Sequence, residues 1–198
     1  MLEAGAKDEI ERGFYIIVIN FYKSCLKAKD SGKLIVAHSI YAPMEILYGF
    51  DNIFPLNYHM YSIILTNRLN MHDLIYGAAS AVGVSPDTCG GHISIPGVAV
   101  KGWMPRPDFV LWDYGPCDNS AQAGEFLMSL FGVPGYFIDR PYRYVDEEIR
   151  YYVKQYKELI DILEELTHQP IDWEKVKARM KLAAEMAKVR KEFIELRH

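Results

Sequence analysis

Residues 108–132, DFVLWDYGPCDNSAQAGEFLMSLFG, decide the fold. Asp108 to Trp112 read as a short buried strand, an apolar run too brief for a helix. Asp118 is placed to cap a helix that runs to Phe131 and stops at Gly132. A strand that feeds directly into a helix is the repeating unit of a parallel sheet covered by helices.

The same alternation recurs on both sides of this stretch. Upstream, residues 2–29 read as a helix, with Phe14, Val18, Phe21 and Cys25 on one stripe, ended by Ser31-Gly32. Lys33 to Ala37 form a short buried strand, and Pro43 opens a second helix through Met44, Ile46 and Leu47. Ile53 to Leu56 form a second strand, and a less regular helical stretch runs from Met60 to about Val82. Residues 83–107 hold nine glycines and prolines and read as a loop, a length that inside a compact domain marks function or disorder. Downstream, Tyr136-Phe137-Ile138 form a strand ending at Asp139. Ile149, Tyr152, Tyr156, Leu159, Leu163 and Leu166 then repeat at helical spacing. Pro170 breaks that helix, and Asp172 caps a last one, with Ile171 and Val176 as a hydrophobic staple. The expected architecture is a Rossmann-like three-layer α/β domain with a short, mostly parallel sheet and a C-terminal helical hairpin. The expected division is an α/β lobe at 1–145 and a helical tail at 146–198.

Composition narrows the function. Of 198 residues, 50% are hydrophobic and 24% charged, the profile of a globular domain with a sizeable core. A net charge of -4 argues against nucleic-acid binding, which needs a basic face. The apolar run Phe14–Tyr22 is too short to span a membrane, and the polar, acidic start shows no signal peptide. Three cysteines without a disulfide framework suit a reducing, cytoplasmic setting.

Ligands of a parallel sheet gather at the carboxyl ends of its strands. Cys117 follows a strand and precedes a helix, whose N-terminal N–H groups and partial positive charge stabilise a thiolate. A small buried apolar residue is an equally good reading of it. Cys89 lies before Gly90 and Gly91, which let a backbone approach a cluster and donate to its sulfurs; a turn that contains a cysteine explains it locally as well. Two thiolates do not complete a four-ligand site, and His92 is a candidate third ligand, for zinc with Cys89 and Cys117. If the two cysteines share a site, their sulfurs approach one another at the sheet edge, while Cys25 stays in the core. No phosphate-binding loop, dinucleotide glycine fingerprint, Gly-x-Ser-x-Gly elbow or His-Glu-x-x-His pattern is present.

Taken in order, several short motifs resemble the 2-hydroxyacyl-CoA dehydratase family, which includes 2-hydroxyglutaryl-CoA dehydratase and benzoyl-CoA reductase subunits. They are Ala37-His38-Ser39, Pro43-Met44-Glu45-Ile46-Leu47, Thr88-Cys89, Gly102, and Met104-Pro105-Arg106-Pro107-Asp108. Pro116-Cys117-Asp118, Gly132-Val133-Pro134 and Asp139-Arg140-Pro141 complete the series, and the likeness runs from about residue 33 to 190. The resemblance implies two α/β lobes with a [4Fe–4S] cluster between them, held by three cysteines. Cys89 and Cys117 match the first two, and the third belongs to a second lobe that these residues do not include. It also implies a partner subunit, an ATP-dependent activator protein that delivers one electron, and loss of water from a 2-hydroxyacyl-CoA through a ketyl radical. One electron on the thioester carbonyl lets hydroxide leave and makes the β-proton acidic. Ser39 matches a position near the substrate hydroxyl, and Glu45 matches a family carboxylate, though a glutamate in a first helical turn also stabilises the helix. The chain is then the N-terminal lobe of such a subunit, inactive alone. The alternatives are a non-catalytic interaction module of the same fold without a cluster, binding through its helical tail, and a Cys/His zinc domain.

Overall fold

The computed structural model describes residues 8–68, 70–113, 117–143 and 145–196. Residues 2–7 of the expected first helix, Pro116 and the last two residues of the expected tail lie outside them.

Among the described residues four strands form one all-parallel sheet: β1 (Leu34–His38), β2 (Ile53–Asn57), β3 (Phe109–Asp113) and β4 (Gly135–Ile138), in the order β2-β1-β3-β4. Each strand is four or five residues long, and all five residues of β3 are buried. The chain leaves β1 toward β2 on one side and returns to β3 on the other. The carboxyl ends of β1 and β3 therefore flank the switch point at which an open parallel sheet forms its crevice.

Strand residues alternate between two cores. Ile35, Ala37, Val110 and Trp112 pack with α1 (Glu9–Ala28), α3 (Tyr58–Arg68), α4 (His72–Ala81), α5 (Gly90–Val100) and α6 (Asp118–Phe131). Val36, Phe109, Leu111 and Ile138 face the other way, onto α2 (Met44–Leu47) and α7 (Asp146–Thr167), whose Leu159 and Leu163 are fully buried. The last helix, α8 (Trp173–Glu195), is anchored at its start. Asp172 accepts from the amides of Glu174 and Lys175, and its own amide donates to the Gly49 carbonyl. Ile171 and Val176, the two positions expected to form the staple, both close over Gly49, where a Cβ would lie 2.7 Å and 3.0 Å from them. Further along, α8 leaves Met180, Met186, Val189 and Phe193 exposed. No helix among the described residues is long and apolar enough to cross a membrane.

Three expectations change. Residues 90–100, expected inside a loop, form α5, although this segment contains Gly90, Gly91, Pro96 and Gly97. Burial overrides propensity here: every residue from Ile93 to Ala99 is buried, so the helix has no polar face to betray a period. Gly97 permits the contact, since a Cβ there would fall 2.1 Å from the Ile75 carbonyl oxygen of α4. The irregular stretch 60–82 is two helices, separated at Asn70, whose φ of 53° is left-handed. The cap of α6 is Cys117 rather than Asp118, which becomes the first helical residue and places its acid in the first turn.

Candidate functional site

The crevice end of the sheet is rich in buried polar groups. Ser39, immediately after β1, is fully buried, and its hydroxyl donates to Asp113 Oδ1 at 2.6 Å. Ser39 Oγ in turn accepts from the Ala42 amide at 3.1 Å, so one side chain joins the ends of β1 and β3 to the approach of α2. Asp113 is 1% exposed. Burial raises its pKa, opposed by the Ser39 hydroxyl and the positive field of Arg140. Tyr58 lies fully buried beside this pair; its hydroxyl makes no full hydrogen bond among the described residues, and burial together with the Asp113 charge keeps it protonated.

Three imidazoles continue the network. His38 Nδ1 lies 2.8 Å from the Ser39 carbonyl oxygen, and burial lowers the His38 pKa to about 4. His59 stacks on Tyr58, takes the Ile40 amide on Nδ1 at 3.3 Å, and meets His92 Nε2 through its own Nε2 at 3.3 Å. Burial, then the neighbouring imidazoles, lower the His59 pKa to about 3, and burial lowers that of His92. These rings are held toward the neutral form, as two buried histidines and a half-buried neighbour close together require.

Cys89 and Cys117 occupy equivalent places, as the N-caps of α5 and α6. Neither side chain accepts a hydrogen bond from its own helix, so each sulfur stands beside first-turn donors that the cap does not use. Cys89 is exposed and Cys117 half-buried. The Cys89 carbonyl takes the amides of His92 and Ile93, and Tyr76 donates to the Gly90 carbonyl. A cavity of about 370 Å³ lies between α5, α6 and residues 83–88, and neither cysteine lines it. Its walls include Thr88, next to Cys89, and Asn119, two residues beyond Cys117, with His92, Gln122 and Phe126.

Of the residues expected at a site, the structure therefore sets the cysteine caps on helices that pack together on one face of the sheet. Ser39 lies at the switch point. Glu45 heads α2 on the opposite face, where it lines an apolar groove with Tyr152, Tyr156 and Trp173. Cys25 is 1% exposed in the core, and burial pushes its thiol up to about 12. Among the described residues no three His, Cys, Asp or Glu side chains converge closely enough to hold a metal. The three-ligand zinc arrangement of Cys89, His92 and Cys117 is thereby corrected: the imidazole of His92 is engaged with His59 instead. For a cluster the donor set is partial, two thiols at neighbouring helix starts with no third ligand among the described residues.

Asp113, Tyr58 and His59 escaped sequence reading. Asp113 stands one residue past the expected end of β3, in the place of a turn acid. Its signal was an acid directly abutting four apolar strand residues, where a fully buried neighbour demands a partner.

A larger groove of about 870 Å³ opens at the amino ends of the strands, lined by Lys33, Asp51 and Lys175, away from the crevice.

The chain matches the family described as 2-hydroxyglutaryl-CoA dehydratase, D-component, over residues 39–198. It is also 28% identical over 174 residues to the (R)-phenyllactyl-CoA dehydratase alpha subunit of Clostridium sporogenes, an alignment covering 82% of this chain and 42% of that protein. The chain thus spans less than half the length of that relative. The match begins at Ser39 itself, the residue that ties the switch point together, and takes in both cysteine caps. This chain belongs to the 2-hydroxyglutaryl-CoA dehydratase D-component family.

Proposed function

We propose that this chain is a lobe of a 2-hydroxyacyl-CoA dehydratase-type subunit in which Cys89 and Cys117 provide two thiolate ligands of a [4Fe–4S] cluster. The observation that carries the reading is that both cysteines cap neighbouring helices that pack together on one face of the sheet. A third ligand then comes from a second lobe, in keeping with the greater length of the relative. When bound, such a cluster supplies one-electron transfer and a Lewis-acidic iron for the substrate oxygen. In this reading the lobe is inactive alone and acts with a partner subunit and an ATP-dependent activator on an acyl-CoA, in the cytoplasm.

The chain's own residues supply position. Ser39 and Asp113 hold the end of β1 against the end of β3, which fixes the loops from which a substrate would be approached. The neutral histidines keep that end of the sheet free of net positive charge. Glu45 contributes a carboxylate from the α2 side. The apolar stripe left open on α8 is the specific support for the second reading, an interaction module of the same fold without a cluster.

Anaerobic reconstitution with iron, sulfide and a small thiol as surrogate third ligand separates the two. Iron uptake with broad visible absorbance, lost in both Cys89→Ser and Cys117→Ser, is the expected result. Equal uptake by the two variants and the parent, or none by any while folding is unchanged, refutes cluster binding.

A further inference from the structure

The partners of two histidines fix where their ring protons lie. A main-chain N–H can only donate, so the Ile40 amide on His59 Nδ1 requires that nitrogen to be unprotonated. Burial among other imidazoles keeps His59 neutral, and its single ring proton is therefore on Nε2. That nitrogen faces His92 Nε2 at 3.3 Å, with the rings perpendicular and their centroids 5.1 Å apart. One proton serves the contact and it already belongs to His59, so His92 Nε2 accepts. The proton of His92 is thereby forced to Nδ1, the tautomer less populated by a free imidazole in water. His92 Nδ1 is buried and meets no acceptor among the described residues, which is costly unless another contact holds the ring in place. The His59 contact is that constraint. Both the His92 and the Ile93 amides, in turn, bond the Cys89 carbonyl at 2.8 Å and 2.9 Å.

We propose that His59 is a positioning residue that sets the tautomer and orientation of His92 and so ties the first turn of α5, with the Cys89 thiol at its head, to the loop after β1. The relevance to chemistry rests on the cluster reading above; the geometry does not. Pro96 adds to the need for such a tie, because it lacks the N–H that would otherwise bond the His92 carbonyl one turn back.

The test is ¹⁵N-edited NMR of the imidazoles in the full chain, with iodoacetamide alkylation of Cys89 and amide exchange followed in parallel. The parent should show His59 protonated at Nε2 and His92 at Nδ1. His59→Leu should return His92 to the Nε2–H form. It should also speed exchange of the His92 and Ile93 amides about fivefold, the effect of one lost neutral hydrogen bond, and alter the Cys89 alkylation rate. His59→Gln, whose amide N–H can replace the Nε2 donor, should keep His92 in the Nδ1–H form and restore the parental alkylation rate. Parent His92 found as Nε2–H overturns the proposal without any variant. So does a Gln variant that behaves like the Leu variant in alkylation. If the tautomers are as stated while reconstitution takes up no iron, this proposal is upheld and the cluster reading alone falls.

Discussion

Gly97→Ala and Gly77→Ala are the same substitution in two helices that pack against each other, and they should move stability in opposite directions. In an exposed helix interior, replacing Gly by Ala gains about 0.8–1 kcal/mol of helix propensity. Gly77, in α4, is exposed with nothing within 4 Å of an added Cβ, so it should realise that gain in full. Gly97, in α5, would place its Cβ 2.7 Å from Ile75 Cγ2 and 2.1 Å from the Ile75 carbonyl oxygen, the latter about an ångström inside the nearest approach a Cβ tolerates. Ile75 is fully buried, and its carbonyl belongs to the body of α4, so neither atom can swing aside. The two helices must separate, at an overpacking cost of about 1–3 kcal/mol or more, which outweighs the propensity gain. Urea unfolding should show a lower midpoint for Gly97→Ala and a higher one for Gly77→Ala, with unchanged slopes. For a chain of this size each kcal/mol shifts the melting temperature by about 2–4 °C. A Gly97→Ala protein as stable as the parent would refute the claim that α5 exists because glycine admits it to α4.

Ser39→Ala removes the hydroxyl that serves both Asp113 and the Ala42 amide, and should cost about 1–3 kcal/mol by taking a hydrogen-bond partner from each of two buried groups; calorimetry checks it. Asp113 has a raised folded pKa, so the folded chain holds a proton that the unfolded chain has released, and stability falls as pH rises from near 3.8 through that pKa. Asp113→Asn should flatten this part of the unfolding midpoint against pH, and an unchanged profile would contradict it. His38 acts on the acid side: its pKa falls from 6.5 unfolded to about 4 folded, so its contribution is full above 6.5 and lost as pH drops toward 4. At 1.36 kcal/mol per unit the loss is about 3 kcal/mol. His38→Gln should abolish that portion of the acid transition, as read from denaturation midpoints between pH 7 and 4.

The sheet was legible because short apolar runs bounded by turn residues are what buried parallel strands look like; β1, β3 and β4 fall within a residue or so of where Ile35, Val110 and Phe137 pointed. Helices α7 and α8 were legible because one side of each faces water and so writes a period into the sequence. Helix α5 was not, because a helix buried on all sides carries no such period, and its glycines mark close packing as readily as a loop. The cysteines stood out through their neighbours in sequence. Asp113 and His59 did not, because their partners Ser39, Ile40 and His92 lie at distances of 19 to 74 residues along the chain. Only the folded topology puts those groups together.

The β2 border of the sheet has a further consequence. The Leu34 amide bonds the Asn52 carbonyl, so along β2 residues 54 and 56 turn toward β1 while 53, 55 and 57 turn outward. Of the outward three, Ile53 spends its N–H on the Phe50 carbonyl, and Pro55 has none. A stray strand arriving at that border finds a single outward amide, at Asn57, and cannot build a ladder on it. Growth of the sheet by self-association is therefore blocked at β2, and any strand exchange between copies would have to begin at β4.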